Sequence, residues 1–248
     1  GGDTWGGLPR AARRHASAWM VGSYDPELDL VYWGTGPPAP LPETLRGAGK
    51  ADLLYTNSTL ALDPDTGEMV WYFQHLPRDN WDLDHVFERM IVETEVSPNP
   101  DEVPWISPDV RPGERRKSIT GVPGKTGLIW TLDAATGKFL WARPTVYQNI
   151  MTGLDPQTGR PSFDESTAPR LVETPAFACP HLLGGKNQPS AAYSPETNAI
   201  YTPLNNACMD IAMSTDVAGP SDGYDVRVRV RHLPGVDPDT APVGRLEA

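Results

Sequence analysis

The 248-residue sequence predicts an all-β fold assembled from repeated strand pairs, and three observations predict it. Residues 61–71, ALDPDTGEMVW, recur as residues 131–141, TLDAATGKFLW, seventy positions on. Asp63, Thr66, Gly67 and Trp71 thereby correspond to Asp133, Thr136, Gly137 and Trp141. Tyr24–Gly36, YDPELDLVYWGTG, recurs as Tyr193–Asn205, YSPETNAIYTPLN, matching at Tyr, Pro, Glu and the later Tyr. Glycine and proline are abundant, at 23 and 27 residues, as short strands joined by turns require, and no segment reads as a long amphipathic helix.

The pattern D-x-x-T-G-x-x-x-W has a mechanical meaning. Asp and Thr close a hairpin turn and Gly supplies positive φ. Trp falls on the returning strand, where it can pack on a neighbouring unit. Strand pairs with a docking Trp argue for radial sheets, that is, a β-propeller. A blade takes about 40–45 residues, so a spacing of seventy predicts one blade plus an insertion, placed at about 75–118. A second excursion is expected at 145–190, with GLDPQTGRP as a turn.

In chain order, Gly1–Gly7 (GGDTWGG) sets Thr4 and Trp5 among glycines. This is either a turn with a packing Trp or a backbone that lets a ligand approach an indole face. Residues 8–20 read as an inserted surface turn with weak helical character. Residues 214–240 are polar and Gly/Pro-marked, and within them YDVRVRVRH alternates like a strand with one charged face. The ending GRLEA looks like the start of a strand. The first residue is Gly, with no signal peptide and no apolar run of transmembrane length, so an internal piece of a longer protein is expected.

Net charge is −11 with a globular composition, 39% hydrophobic and 21% charged. Such a surface repels phosphates and sets nucleic-acid binding aside.

The chemistry concentrates in Gln74–Glu88, QHLPRDNWDLDHVFE, which packs Asp79, Asp82 and Asp84 around Trp81. In an extended segment Asp82 and Asp84, two residues apart, point the same way and can meet one cation. The bland alternative is a pair of solvated loop acids. Lys125 lies in a Gly-flanked turn before LIWTLD and could face an anionic ligand or only water. Asn187, in GGKNQPS, reads as an ordinary turn residue. Cys179 and Cys208 stand 29 positions apart without C-x-x-C spacing, which leaves a disulfide and two separate buried thiols equally open.

Together, in this order, GGDTWGG, YDPELDLVYWGTGPPAP, the D-x-x-T-G repeat, PRDNWDLD, GKTGLIWTLD and CPHLLGGKNQPSAAYSP resemble the pyrroloquinoline quinone (PQQ)-dependent alcohol dehydrogenases. The resemblance covers most of residues 1–213 and implies about four blades of an eight-bladed propeller, so that 1–248 is a partial PQQ-binding domain. It implies that Trp5 forms the floor under the quinone, with Thr4, Lys125 and Asn187 as further cofactor contacts. It makes Asp82 the catalytic base and, with Asp84, a metal ligand, and it pairs Cys179 with Cys208 as a disulfide. An Asp at position 84 resembles the lanthanide-using branch of the family, where the calcium-using branch has a small residue. The family's metal-binding Asn is replaced by Pro37, which has no side-chain oxygen.

The function implied is oxidation of a small primary alcohol to the aldehyde with PQQ and Ca2+ or a lanthanide(III) ion. Electrons would pass to a cytochrome c in the periplasm, and self-association into a homo-oligomer stays open. Two competitors remain at this stage: a non-enzymatic propeller scaffold for protein partners, and a PQQ-dependent polyol or sugar dehydrogenase. As a fragment, the chain alone is expected to be inactive.

Overall fold

A computed structural model describes residues 2–170, 173–214 and 225–248; part of the polar 214–240 stretch lies outside them. Near the start, β1 (Arg14–His15) pairs with β4 (Pro38–Ala39) as a short ribbon. Between and beyond them, β2 (Ser23–Asp25), β3 (Leu30–Gly34), β5 (Ser58–Leu62) and β6 (Met69–Gln74) form an antiparallel sheet in that order. A single helical turn, α1 (Glu43–Arg46), precedes β5.

Five strands follow: β7 (Met90–Val96), β8 (Trp105–Ile106), β9 (Glu114–Gly121), β10 (Leu128–Asp133) and β11 (Phe139–Pro144). They form one antiparallel sheet in the order β7-β9-β10-β11-β8. The stretch 75–118 thus supplies β7, β8 and most of β9 as well as the acidic loop.

The 145–190 stretch holds the hairpin β12 (Met151–Leu154) and β13 (Pro161–Phe163), then β14 (Ala176–Ala178). Last come β15 (Ala192–Ser194), β16 (Ala199–Asn205), β17 (Cys208–Met213), β18 (Val226–Arg231) and β19 (Gly244–Glu247). They complete two three-stranded sheets, β14-β17-β18 and β15-β16-β19. Val226–Arg231, within the alternating stretch, and the terminal Gly244–Glu247 are strands, as their patterns predict. Among the described residues no helix is long and apolar enough to cross a membrane.

The repeated motif does the same work twice. Asp63 Oδ1 accepts the N–H groups of Asp65 and Thr66 at 2.9 Å, and Asp133 Oδ1 accepts Thr136 N–H at 2.9 Å. Gly67 and Gly137 follow with φ of 72° and 70°. The docking role predicted for the Trp holds at Trp71. Its indole N–H reaches the Ala134 carbonyl in the next sheet's turn, and Tyr32 hydroxyl donates to the same oxygen at 3.0 Å. Between these sheets Tyr32, Phe73, Trp81, Leu83, Trp130 and Phe139 form one buried core. Burial at roughly 25 cal/mol per Å2 of apolar surface favours this stacking. The loops leaving β6, β9 and β14 meet beside that core, and there the acidic residues lie.

Candidate functional site

The loop after β6 is built around a buried carboxylate. Asp79 is fully inaccessible to solvent. Its Oδ1 accepts Trp81 N–H at 2.7 Å; its Oδ2 accepts Leu83 N–H at 2.8 Å and the Asn57 side-chain amide at 2.9 Å. Arg46, also buried, donates to the Asp79 carbonyl at 2.9 Å. Burial pushes the Asp79 carboxyl above the usual range, while these N–H bonds pull the other way. Every partner of its side-chain oxygens is a donor, which is the environment of a carboxylate.

Asp82 sits between the two clamped amides with φ of 64°. A left-handed residue with a Cβ costs roughly 1–2 kcal/mol, and hydrogen bonds to a charged acceptor contribute about 1.5–3 kcal/mol each, so the clamp can outweigh the strain. Trp81 anchors the loop from the other side. It is buried and donates its indole N–H to the Thr167 carbonyl at 2.7 Å.

Asp82 and Asp84 do meet one cation, and it is Lys125. Lys125 Nζ lies 2.9 Å from Asp82 Oδ2 and 2.6 Å from Asp84 Oδ2, and donates to the Asp82 carbonyl at 2.9 Å. The convergence differs in origin from the extended segment expected, because the left-handed turn at Asp82 brings the carboxylates together. The lysine is placed by its own backbone: Lys125 N–H donates to the Asp84 carbonyl at 2.8 Å, and the Lys125 carbonyl accepts from Gly185 at 2.8 Å. All three side chains are nearly buried, so the solvated-loop alternative does not describe them.

Electrostatics follow from that burial. Desolvation raises the Asp82 carboxyl to about 7; Lys125 opposes the rise and Asp84 adds to it. Burial works against charge on Lys125, but the carboxylates of Asp82 and Asp84 hold it above the ordinary lysine value. Asp82 Oδ1 is buried and has no hydrogen-bond partner. On Asp84, Oδ1 accepts the Trp19 indole N–H at 3.2 Å. Gly36 allows this close packing, since a Cβ there would lie 2.7 Å from Asp84 Oδ1.

The other predicted residues lie on other loops, and their side chains bond there rather than to the Asp82–Lys125–Asp84 cluster. Trp5 packs with Ala48 and Leu53 in a small cluster, donates to the Leu54 carbonyl at 2.6 Å, and has Arg13 at 5.8 Å from its ring centroid. Only 7% of it is exposed, so a flat ligand reaching its face would have to displace a neighbour. Thr4 hydroxyl accepts Leu54 N–H at 3.2 Å. Asn187 turns its amide into its own loop, donating to the Leu183 carbonyl at 2.8 Å. Next to it, buried Lys186 pairs with Glu88 at 2.9 Å and lies over Phe87, tying that loop to the acidic one. Pro37 is buried, and its carbonyl accepts Ala16 N–H at 3.0 Å. Cys179 and Cys208 form a disulfide that joins the 179–188 loop to β17.

Residues 2–144 match the family model described as PQQ: Glucose/ethanol/alcohol dehydrogenase, beta-propeller domain. The chain belongs to this family. It is 37% identical over 202 residues to the dehydrogenase subunit of alcohol dehydrogenase (quinone) from Gluconobacter oxydans, covering 81% of this chain and 25% of that protein. It is 32% identical over 211 residues to the lanthanide-dependent methanol dehydrogenase of Methylacidiphilum fumariolicum, covering 85% of this chain and 29% of that one.

Among solved structures, a europium-containing methanol dehydrogenase superposes with a TM-score of 0.74 at 29% identity, covering 87% of this chain and 34% of the other. The antiparallel sheets are therefore part of a quinoprotein β-propeller. The chain spans about a quarter of the length of the curated relatives it matches.

For a resident cation, these residues fit in kind. Asp82 and Asp84 offer hard carboxylate oxygens, and the orphaned Asp82 Oδ1 is a buried acceptor without a donor. They do not suffice in number: among the described residues no three His, Cys, Asp or Glu side chains surround one point.

Proposed function

We propose that this chain carries the proton-accepting part of a PQQ-dependent alcohol dehydrogenase, with Asp82 as general base. The observation that carries the reading is the buried Asp82–Lys125–Asp84 cluster with Asp82 Oδ1 unpartnered. A carboxylate whose pKa lies near neutrality is suited to take a proton from a hydroxyl group at working pH. Its Oδ2 is engaged by Lys125, which leaves Oδ1 to receive the alcohol proton.

Asp82 and Asp84 would hold a calcium or lanthanide ion, and the second carboxylate favours the trivalent one. Thr4, Trp5, Lys125 and Asn187 are the residues offered to the cofactor. When bound, PQQ supplies the two-electron acceptor and the ion a Lewis acid. Lys125 keeps positive charge where negative charge gathers on reduction. An acceptor of the cytochrome c type follows from the family resemblance. A periplasmic setting follows from that resemblance and from the Cys179–Cys208 disulfide.

The test uses the full-length protein reconstituted with PQQ and calcium or lanthanum, assayed by dye-linked oxidation of small alcohols, polyols and glucose. Asp82→Asn should lower kcat by about 10²–10⁴ with little change in folding. Undiminished turnover in that variant would remove Asp82 from the role. A preference for glucose would move the substrate to the sugar class.

A further inference from the structure

We infer that Asp79 is the positioning residue of the proposed base; the inference rests on the reading of Asp82 above. Its carboxylate takes the N–H groups of Trp81 and Leu83, the residues on either side of Asp82. Two amides fixed to one buried side chain leave the intervening residue little freedom, and that residue stands at φ 64°. The clamp is held from outside the loop. Asn57, itself left-handed at φ 47°, donates to Asp79 Oδ2 at 2.9 Å. Arg46 grips the backbone through the Pro40, Leu41 and Asp79 carbonyls at 3.1, 2.9 and 2.9 Å.

Asp79 touches no reacting atom in this arrangement. It acts by fixing the direction in which Asp82 Oδ1 points. A neutral amide in its place is nearly isosteric but presents one acceptor oxygen instead of two, so only one of the two flanking N–H groups can keep a strong partner. Misplacement of a reacting group by about 1 Å can cost on the order of 100-fold in rate.

The decisive variant is Asp79→Asn in the full-length protein, with Asp82→Asn and the double variant beside it. Exchange of the Trp81 and Leu83 amides, followed without cofactor, should accelerate by roughly tenfold or more. In the reconstituted enzyme, kcat and kcat/KM should fall together by at least about tenfold, the signature of an interaction made only in the transition state. In the Asp82→Asn background Asp79→Asn should add almost nothing.

Gly67→Ala, on an outer turn, is the control for lost stability alone and should leave kcat unchanged. If Asp79→Asn fails to fold, Asn57→Gly keeps the left-handed backbone, removes one donor to the clamp, and should show the same two effects at smaller size. Unchanged amide exchange, or rate losses that multiply with those of Asp82→Asn, would overturn the inference. Full activity of Asp82→Asn would instead overturn the base reading, and amide exchange would still decide whether the clamp exists.

Discussion

Trp71 donates its indole N–H to the carbonyl oxygen of Ala134, 3.2 Å away, and so fastens the first complete sheet to the turn of the second. The same turn brings Gly137 under the indole: a Cβ on Gly137 would lie 2.4 Å from Trp71 Cε3. Gly67 occupies the matching place in the other copy of the motif, with nearly the same φ, and a Cβ there meets nothing within 4 Å. The pair therefore separates backbone strain from packing. Gly67→Ala should cost only the left-handed penalty, about 1–2 kcal/mol. Gly137→Ala should add an overpacking penalty of roughly 1–3 kcal/mol more. Denaturant unfolding of both variants measures the difference, and equal losses would mean that the indole gives way freely.

The disulfide closes a chain separation of 29 residues. Loop-closure entropy assigns such a cross-link about 3–4 kcal/mol. Cys179→Ala with Cys208→Ala should lower stability by that order. Reduction of the unmodified protein should do the same, with a lowered midpoint in urea and a slope no shallower than before, because the unfolded chain opens further. The 179–188 loop reaches Lys125 through Gly185, so the variant should also weaken cofactor retention. A midpoint that does not move would show that the bond adds nothing to packing already in place.

The repeat made the fold legible because its Asp, Thr and Gly act locally: Asp63 and Asp133 bond amides two or three positions on. The carboxylate pair and Lys125 were legible as residue types in suggestive places. What linked them was not, since Lys125 reaches Asp82 across 43 positions and Asn57 reaches Asp79 across 22. One signal for Asp79 was present in the sequence, an acid two positions before a backbone N–H that needs a partner, as in an Asx turn. Trp19 gave none. It lies in a stretch that reads as a surface turn, and the pairing of β1 with β4, continued by Ala16 N–H to the Pro37 carbonyl and Gly36 N–H to the Ser17 carbonyl, carries that stretch back toward Asp84.

Two buried imidazoles make stability depend on pH. His75 and His85 stack with centroids 5.0 Å apart, and both are almost fully inaccessible. Burial, and then the neighbouring charge of Arg89, lowers His85 to about 3, and His75 is also held well below the ordinary histidine range. Below a pH of about 6.5 the unfolded chain binds protons that the folded one refuses, so stability falls as pH drops, by up to about 1.4 kcal/mol per pH unit for each group. For His85 the loss continues until the folded form titrates near 3. His75→Phe should make the acid side of the stability curve shallower by up to one such slope. A curve of unchanged steepness between pH 6.5 and 4 would assign the acid sensitivity to other groups.

Trp19 Nε1 lies 3.2 Å from Asp84 Oδ1, which places an indole at the edge of the carboxylate pair. Terbium(III) is a hard trivalent probe for such oxygens, and its emission is sensitised by a nearby indole. Full-length protein without PQQ should bind terbium and give sensitised emission. Trp19→Phe should bind the ion with similar affinity and lose part of that emission, the rest coming from Trp81, the chain neighbour of Asp82. Asp84→Ala should weaken terbium binding at least about tenfold, or ~1.4 kcal/mol. The same change should weaken calcium less, since the removed charge interacts with two elementary charges rather than three. Equal losses for both ions would leave Asp84 a general ligand without preference. Undiminished terbium binding in Asp84→Ala would place the ion away from this pair altogether.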